Sequence, residues 1–447
     1  MTRTTRIVCA SLGWLAGAAL FFVAVIAVLA GVALFALRAG PGDWAQRLSF
    51  GPLGMAFSVP ALARVATHPL GMHVLAGRSV DTRYGRVRID AGIEPGTLVV
   101  RCAPCRVDNA ALAARPIRVA AIEVTVANGA PNQLLGELRI GAVGGHWRAR
   151  LGARDATVEV DIADAALADL VAVVADAVPE AKQASIGGRG SLAIRVDLPS
   201  GRYAVRPRLE GLVVTGLGTD ALAGATPTPA CGRAPRALRS AAPYGNWLPI
   251  AVIAAEDQRF LEHPGYDVAE MAAAWSTEGV RAEHPRGAST ISQQLAKLLY
   301  TGDERSLARK VRELLYAVEL DRSLGKARVL QLYLAVAPWG DGQCGGEAAA
   351  LHYFGKHAAA LEPAEAVWLA GLLRNPELGL ARGARGDTAD NARLALIAEN
   401  LRPLSRRARA DLRDEVEVMV PPLPVLARAG AASVPTAERA VAAAAAR

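Results

Sequence analysis

The stretch that decides the reading runs from residue 251 to 321: AVIAAEDQRFLEHPGYD (251–267), RGASTISQQLAKLLY (286–300) and LARKVRELLYAVELD (307–321). It holds two acidic centres, a Ser/Thr/Gln-rich helix start and a cluster of Lys and Arg. Glu256 and Asp257 stand where the apolar run LPIAVIAAED ends. A carboxylate there tends to be desolvated, which raises its pKa and suits a general base, although the pair can equally cap the next turn. Arg259, His263 and Asp267 follow closely, with Phe260 as an apolar anchor and Pro264-Gly265 forcing a turn. GASTISQQLAK reads as a loop entering a helix, where Ser289 or Thr290 caps and outward amides favour phosphate. Gln293 and Lys297 share a helix face, with Gln294 beside them; as an isolated feature this is ordinary solvated surface. In the third piece Leu307, Val311, Leu314, Leu315 and Val318 form a buried stripe. Arg309 and Glu313 are four apart, and Lys310 lies three before that Glu. Alone they are a surface ion pair worth a few tenths of a kcal/mol, roughly. Near Lys297 the same cations would make a site for a pyrophosphate.

Working outward, helical periodicity continues on the C-terminal side. Helices are expected over 249–257, 268–280, 289–300, 305–324, 326–336, 347–354, 363–373 and 388–401, followed by an Arg-rich helix and an Ala-rich tail. On the N-terminal side the texture changes to alternation at period two, in runs such as YGRVRID, GTLVVRC, HWRARLGA and SLAIRVDLP. Short alternating runs bounded by Gly, Pro, Asn or Asp indicate antiparallel strands with one buried face. One helix is expected within 165–183. Nothing there assembles a nucleophile, base or metal set, and Asp161 and Asp164 read as strand-end and cap residues. The fold class is therefore α+β and multidomain. A cytoplasmic N-terminus (1–11) and an anchor (12–37) precede a β-rich accessory domain (45–218). A linker (219–246), a mostly α domain (247–410) and a low-complexity tail (411–447) follow.

Residues 12–37 carry no charge and are almost wholly apolar. At about 1.5 Å rise per residue they exceed the roughly 30 Å of a hydrocarbon core, which predicts a spanning helix. A cleaved signal peptide would have a shorter apolar region followed by a small-x-small site. Arg3 and Arg6 precede the stretch without acidic residues, which places the N-terminus in the cytoplasm and the rest outside the inner membrane. Net charge is +8 over 447 residues, without the basic blocks or interleaved aromatics of a nucleic-acid binder. Cys9 lies at the membrane edge, leaving Cys102, Cys105, Cys231 and Cys344 outside. Even parity in an oxidising compartment predicts Cys102–Cys105 and Cys231–Cys344 disulfides. A CxxC flanked by strand and turn lacks the helix N-terminus of a redox site, and one such pair is too little for zinc.

The order EDQRFLEHPGYD, GASTISQQLAK, RKVRE, KARVLQLYL, AALHYFGK and EAVWLAGLLRNP resembles the family 51 peptidoglycan glycosyltransferases, which occur alone or as the N-terminal half of class A penicillin-binding proteins. The likeness covers roughly 234–376. It implies a lysozyme-like domain that polymerises lipid II into glycan strands by inverting transfer, with undecaprenyl pyrophosphate leaving. By position Glu256 would be the general base, and Glu313 the second carboxylate, ordering the pyrophosphate end. Ser289, Thr290, Gln294, Lys297, Arg309 and Lys310 match positions that hold substrate. Asp257, His263 and Gln293, within the same motifs, join them as candidates. No cofactor is required; Mg or Mn can screen the pyrophosphate in such enzymes, but the sequence offers no metal cage.

The sequence departs from the family pattern at Ala335, where Asn is usual, and at Arg328, where Glu is usual. Residues 268–285 fit either a membrane-dipping flap or a packed helix. SLGK (323–326) fits SxxK, but no SxN or KTG follows, so no transpeptidase is expected. The implied partners are lipid II, the growing strand, the inner membrane, and cell-wall synthesis proteins through the β-rich domain. Two rivals remain open: a weakened scaffold that binds lipid-linked glycan, and a lysozyme-like hydrolase.

Overall fold

The computed structural model describes residues 37–40, 43–50, 53–110, 112–225, 227, 244–274, 289–304, 306–384 and 391–419. The expected anchor falls outside these residues except for Leu37, as do Cys231, most of 226–243, the second half of the candidate flap, and the tail from 420. Among the described residues no helix is long and apolar enough to cross a membrane.

The chain is mixed α+β, with a β-rich part followed by a helical part. A hairpin of β1 (Ala45–Phe50) and β2 (Leu53–Ser58) leads into α1 (Val59–Thr67) and α2 (Pro69–Leu75). Strands β3 (Arg78–Thr82), β4 (Gly85–Ala91) and β5 (Thr97–Cys102) follow, then a small ladder of β6 (Cys105–Val107) with β7 (Ile117–Val119). Next come β8 (Ile122–Asn128), β9 (Gln133–Ile140), β10 (Val143–Leu151), β11 (Ala156–Ala166), α3 (Leu167–Ala172), β12 (Ser185–Leu198) and β13 (Arg202–Thr215). Nine strands form one antiparallel sheet in the order β13-β12-β11-β10-β9-β8-β5-β4-β3. Period-two alternation is visible in β10, where Val143, Ala149 and Leu151 are buried while His146, Arg148 and Arg150 are exposed. The inward face packs under helices and the small ladder; the outward face carries exposed pairs such as Arg86–Asp81.

The helix expected over 165–183 is much shorter. Strand β11 runs to Ala166, α3 ends at Ala172, and Pro179–Lys182 form a separate 3-10 turn. Proline breaks the interior of a helix and is tolerated only in its first turn, and it pushes the residue before it toward extended backbone, as Val178 shows (φ −122°, ψ 79°). Asp164 is not a helix cap: it sits at a bulge of β11 with φ 48° and pairs with Arg189. Cys102 and Cys105 are disulfide-bonded, and so is Cys344.

The helical part comprises α4 (Trp247–Glu256), α5 (Val268–Ala274), α6 (Ile291–Ala296) with a π turn (Lys297–Thr301), and the long α7 (Leu307–Val336). Helices α8 (Gly346–Phe354), α9 (Pro363–Leu372), α10 (Pro376–Ala384), α11 (Asn391–Glu399) and α12 (Arg406–Glu417) complete it. Its core buries Leu248, Ile291, Leu295, Leu332, Leu369 and Leu401 completely. The two parts share a second core, in which Leu212 and Val214 of β13 cluster with Leu314, Leu315 and Val318 of α7. Residues 219–223, read from sequence as linker, form a 3-10 turn (Thr219–Ala223) against α7.

The expected break between 324 and 326 is a break in dihedrals: Gly325 has φ 73° and ψ 164° inside α7. That region is essentially reserved for glycine. Gly325→Ala is therefore expected to cost about 1–3 kcal/mol in denaturant unfolding, although no atom crowds the new Cβ. A midpoint unchanged from wild type would show that the break is not held there.

Candidate active site

Helix α4 is apolar along its length, with Leu248, Ala251 and Val252 fully buried, and it ends by delivering Glu256 into a nearly closed position. Gln294 Nε2 donates to one carboxylate oxygen at 2.9 Å and Arg393 Nη2 to the other at 2.7 Å. The Tyr333 hydroxyl donates to Gln294 Oε1 at 2.8 Å, which turns the amide nitrogen toward Glu256. Burial raises the Glu256 pKa, opposed by the charge of Arg393, the hydrogen bonds from Gln294 and Arg393, and Arg374. The result is an oriented carboxylate with enhanced proton affinity, as a general base needs. Tyr333 is pushed well above its usual range by burial and by Glu256, so it stays a neutral donor.

Four candidates from the same motifs are hydrogen-bonded to one another or to neighbouring backbone. Asp257 Oδ2 accepts the Ile291 N–H at 2.9 Å, and both of its oxygens lie 3.0 Å from His263 Nε2. Asp257 and His263 are both buried and tie the turn after α4 to the start of α6. Thr290 caps α6 by accepting from the Gln293 N–H, and it donates to the Gly265 carbonyl at 2.6 Å. Gln293 Oε1 accepts the Thr290 N–H, which completes a buried capping box. The outward-facing amides expected at this helix start are thus already engaged: a protein carboxylate and a threonine occupy the place assigned to phosphate. Sequence could not separate the two uses, because the residue types that cap a helix are also those that bind anions.

The cation set assembles on the first turns of α7. Ser306 caps the helix, and Arg309 and Lys310 both reach Glu313, which is 1% exposed. Lys310 Nζ lies 2.8 Å from Glu313 and donates to Ser289 Oγ at 2.7 Å, joining the α6 entry to α7. Burial, with Arg309 and Lys297 nearby, pushes Lys310 down to about 8 even beside Glu313. Lys297 pairs with the exposed Asp303 at 2.6 Å and holds that carboxyl below its usual range. Glu313 therefore anchors two cations. Among the described residues no group of three His, Cys, Asp or Glu is placed to hold a metal. Glu313 and Asp303 are each engaged by side-chain cations.

Arg393 was not legible in the sequence: it lies on α11, 137 residues from Glu256, outside the motifs. Tyr333 stood within the quoted KARVLQLYL, without a sign of its role. Ala335 is fully buried, with Gly345 packed so closely that a Cβ there would meet the Ala335 carbonyl at 2.7 Å.

A transglycosylase family model matches residues 233–400. Over those residues the helical part is similar to the transglycosylase family. The "biosynthetic peptidoglycan transglycosylase" of Nitrosomonas eutropha is 45% identical over 131 residues, which cover 29% of this chain and 54% of that protein. The proteins of the same name from Nitrosomonas europaea (47% over 129 residues) and Aeromonas hydrophila (46% over 129 residues) cover 29% of this chain and 53% and 54% of themselves. The chain spans about half the length of these relatives. Their likeness lies in the transglycosylase domain, and the β-rich part falls outside the family match.

Within that domain Arg393 has a checkable role. Its charge lowers the Glu256 pKa, so Arg393→Met should raise that pKa further. Were Glu256 to act as general base, working only when deprotonated, the acid limb of kcat/KM would move to higher pH and kcat would fall. An acid limb that stays in place would separate Arg393 from Glu256.

Proposed function

We propose that this chain is a peptidoglycan glycosyltransferase that polymerises lipid II into glycan strands. Glu256 removes the proton from the acceptor's 4-hydroxyl. The oxygen lone pair forms the new bond to the donor's anomeric carbon from the face opposite the leaving group. The bond from that carbon to the pyrophosphate oxygen breaks, and undecaprenyl pyrophosphate departs with the electron pair and with inversion. Arg309, Lys310 and Lys297 meet the charge that develops on the leaving group, and Glu313 holds the first two in place. Ser289 steadies Lys310, and Gln294 orients the base.

The observation that carries this reading is the state of Glu256: buried, raised in proton affinity, and fixed by two donors on separate helices. The likeness of the helical part to the transglycosylase family and the names of its relatives point to the reaction class. Residues 12–37 form the inner-membrane anchor in this reading, with the N-terminus cytoplasmic and the domain periplasmic, where a lipid-linked substrate is within reach. Charge neutralisation at the pyrophosphate rests on the side-chain cations.

Purified full-length protein with labelled lipid II tests the reading. Polymer from the wild type and none from Glu256→Gln supports it. Lipid II binding without polymer from either protein would make the chain a scaffold, and cleavage of preformed glycan would make it a hydrolase.

A further inference from the structure

The family motifs account for one face of α7, and its neighbouring face is gripped by the β-rich part. At about 100° per residue, Ala308, Arg312, Leu315, Glu319 and Ser323 fall along one side of the helix, a fraction of a turn from Arg309, Lys310 and Glu313. Glu180, on the 3-10 turn Pro179–Lys182, is 2% exposed, and both its oxygens accept from Arg312 Nε at 2.8 and 2.9 Å. The Leu112 carbonyl accepts the Ala308 N–H at 2.9 Å, one residue before Arg309. Glu319, 6% exposed, accepts the N–H groups of Leu217 at 2.8 Å and Thr219 at 3.3 Å as the chain leaves β13. Thr219 Oγ1 meets Ser323 Oγ at 2.9 Å. Arg328, the residue that departs from the family pattern, donates to the carbonyls of Leu222 at 3.0 Å and Ala225 at 2.7 Å.

Burying a carboxylate is costly unless it is paired and hydrogen-bonded, so Glu180 and Glu319 are buried because the two parts meet there. These contacts bracket the segment that carries the cation set, above at Ala308 and Arg312 and below at Glu319, Ser323 and Arg328. The apolar cluster of Leu212 and Val214 with Leu314, Leu315 and Val318 fills the space between them.

From this arrangement we infer that the β-rich domain, with the 219–225 segment that leaves it, is a positioning part of the transferase: through their contacts to Arg312, Glu319 and Arg328 of α7 they hold that helix so that Arg309, Lys310 and Glu313 face the leaving group. The inference rests on the glycosyltransferase reading above. It makes the domain more than a tethered adaptor, and it gives Arg328 a purpose that glutamate could not serve, since the partners are backbone carbonyls that need a donor.

The shared core rules out excising the domain as a clean test, so the experiment uses single substitutions in the full-length chain. Glu180→Ala and Arg328→Ala are compared with Asp81→Ala, which breaks an exposed pair far along the sheet. Each protein is followed by thermal melting, by lipid II polymerisation, and by amide exchange over 307–316. The expected result for the first two is a kcat lower on the order of tenfold, since an ångström of misplacement can cost about a hundredfold. KM should stay within about twofold and exchange over 307–316 should quicken, whereas Asp81→Ala should match the wild type. Glu180→Asp, which keeps the charge, should recover most of the kcat, as lost packing alone would not. Should Glu180→Ala not fold, Arg328→Ala carries the test, because its contacts lie at the partly exposed margin. Polymerisation by the wild type together with wild-type kcat and exchange in folded Arg328→Ala would overturn the inference alone. Absence of polymer from the wild type would overturn the glycosyltransferase reading and the inference with it.

Discussion

Glu256→Gln is expected to lower kcat for lipid II polymerisation by about 10²–10⁴-fold, the range that positioned general bases contribute. The substitution is nearly isosteric, and the remaining carbonyl oxygen can still accept from one of Gln294 and Arg393. The amide cannot take a proton, and its nitrogen is a donor facing a donor. Lipid II binding should persist, because the cations of α7 and the Ser289–Lys310 bond are untouched. The expected pattern is therefore a loss in kcat with KM little changed, which marks an interaction made mainly in the transition state. A variant that polymerises within about threefold of wild type, with a normal melting curve, would remove Glu256 from the base role. Arg393 predicts a second signature: with no carboxylate opposite it, the acid limb governed by Glu256 should vanish from the residual activity.

Sequence carried the helical domain far because its signals are local. The end of α4, the cap before α6 and the break in α7 each follow from residue types within a turn of where they occur. Period-two runs likewise placed the strands of the sheet. What stayed hidden depends on contacts between distant segments. Arg393 is an ordinary helical arginine until α11 is packed against α4, and nothing in NARLAL distinguishes it from its neighbours. Thr290 and Gln293 were ambiguous for a different reason, since a hydroxyl and an amide at a helix start suit both a cap and a ligand. Only their burial and their mutual hydrogen bonds decide for the cap. Residues 219–223 carried linker composition, yet the buried Glu319 and the exposed Ser323 of α7 both bond to Thr219. Arg328 showed as a departure from the family pattern and could be explained only once its carbonyl partners came from another part of the chain.

Lys310→Ala is expected to cost about 10²–10³-fold in kcat, the scale for removing one preorganised donor at developing charge, and Lys310→Arg should separate charge from geometry. Burial first, then Arg309 and Lys297, push Lys310 down to about 8. The sign follows directly: below about 8 the ammonium is present and can meet the leaving group, and above it the charge is lost. kcat/KM, which reports on the free enzyme, should therefore fall on a basic limb near 8. Glu256 sets the acid limb above the ordinary carboxylate range, so the profile should be a bell lying between the two groups. Arginine does not titrate in this range, so Lys310→Arg should lose the basic limb and leave the acid limb in place. Its maximal activity should be reduced, because a planar fork does not reproduce an ammonium set between Ser289 Oγ and Glu313 Oε2 at 2.7 and 2.8 Å. If the basic limb survives in Lys310→Arg, another group governs it and Lys310 does not supply the charge that the pyrophosphate meets.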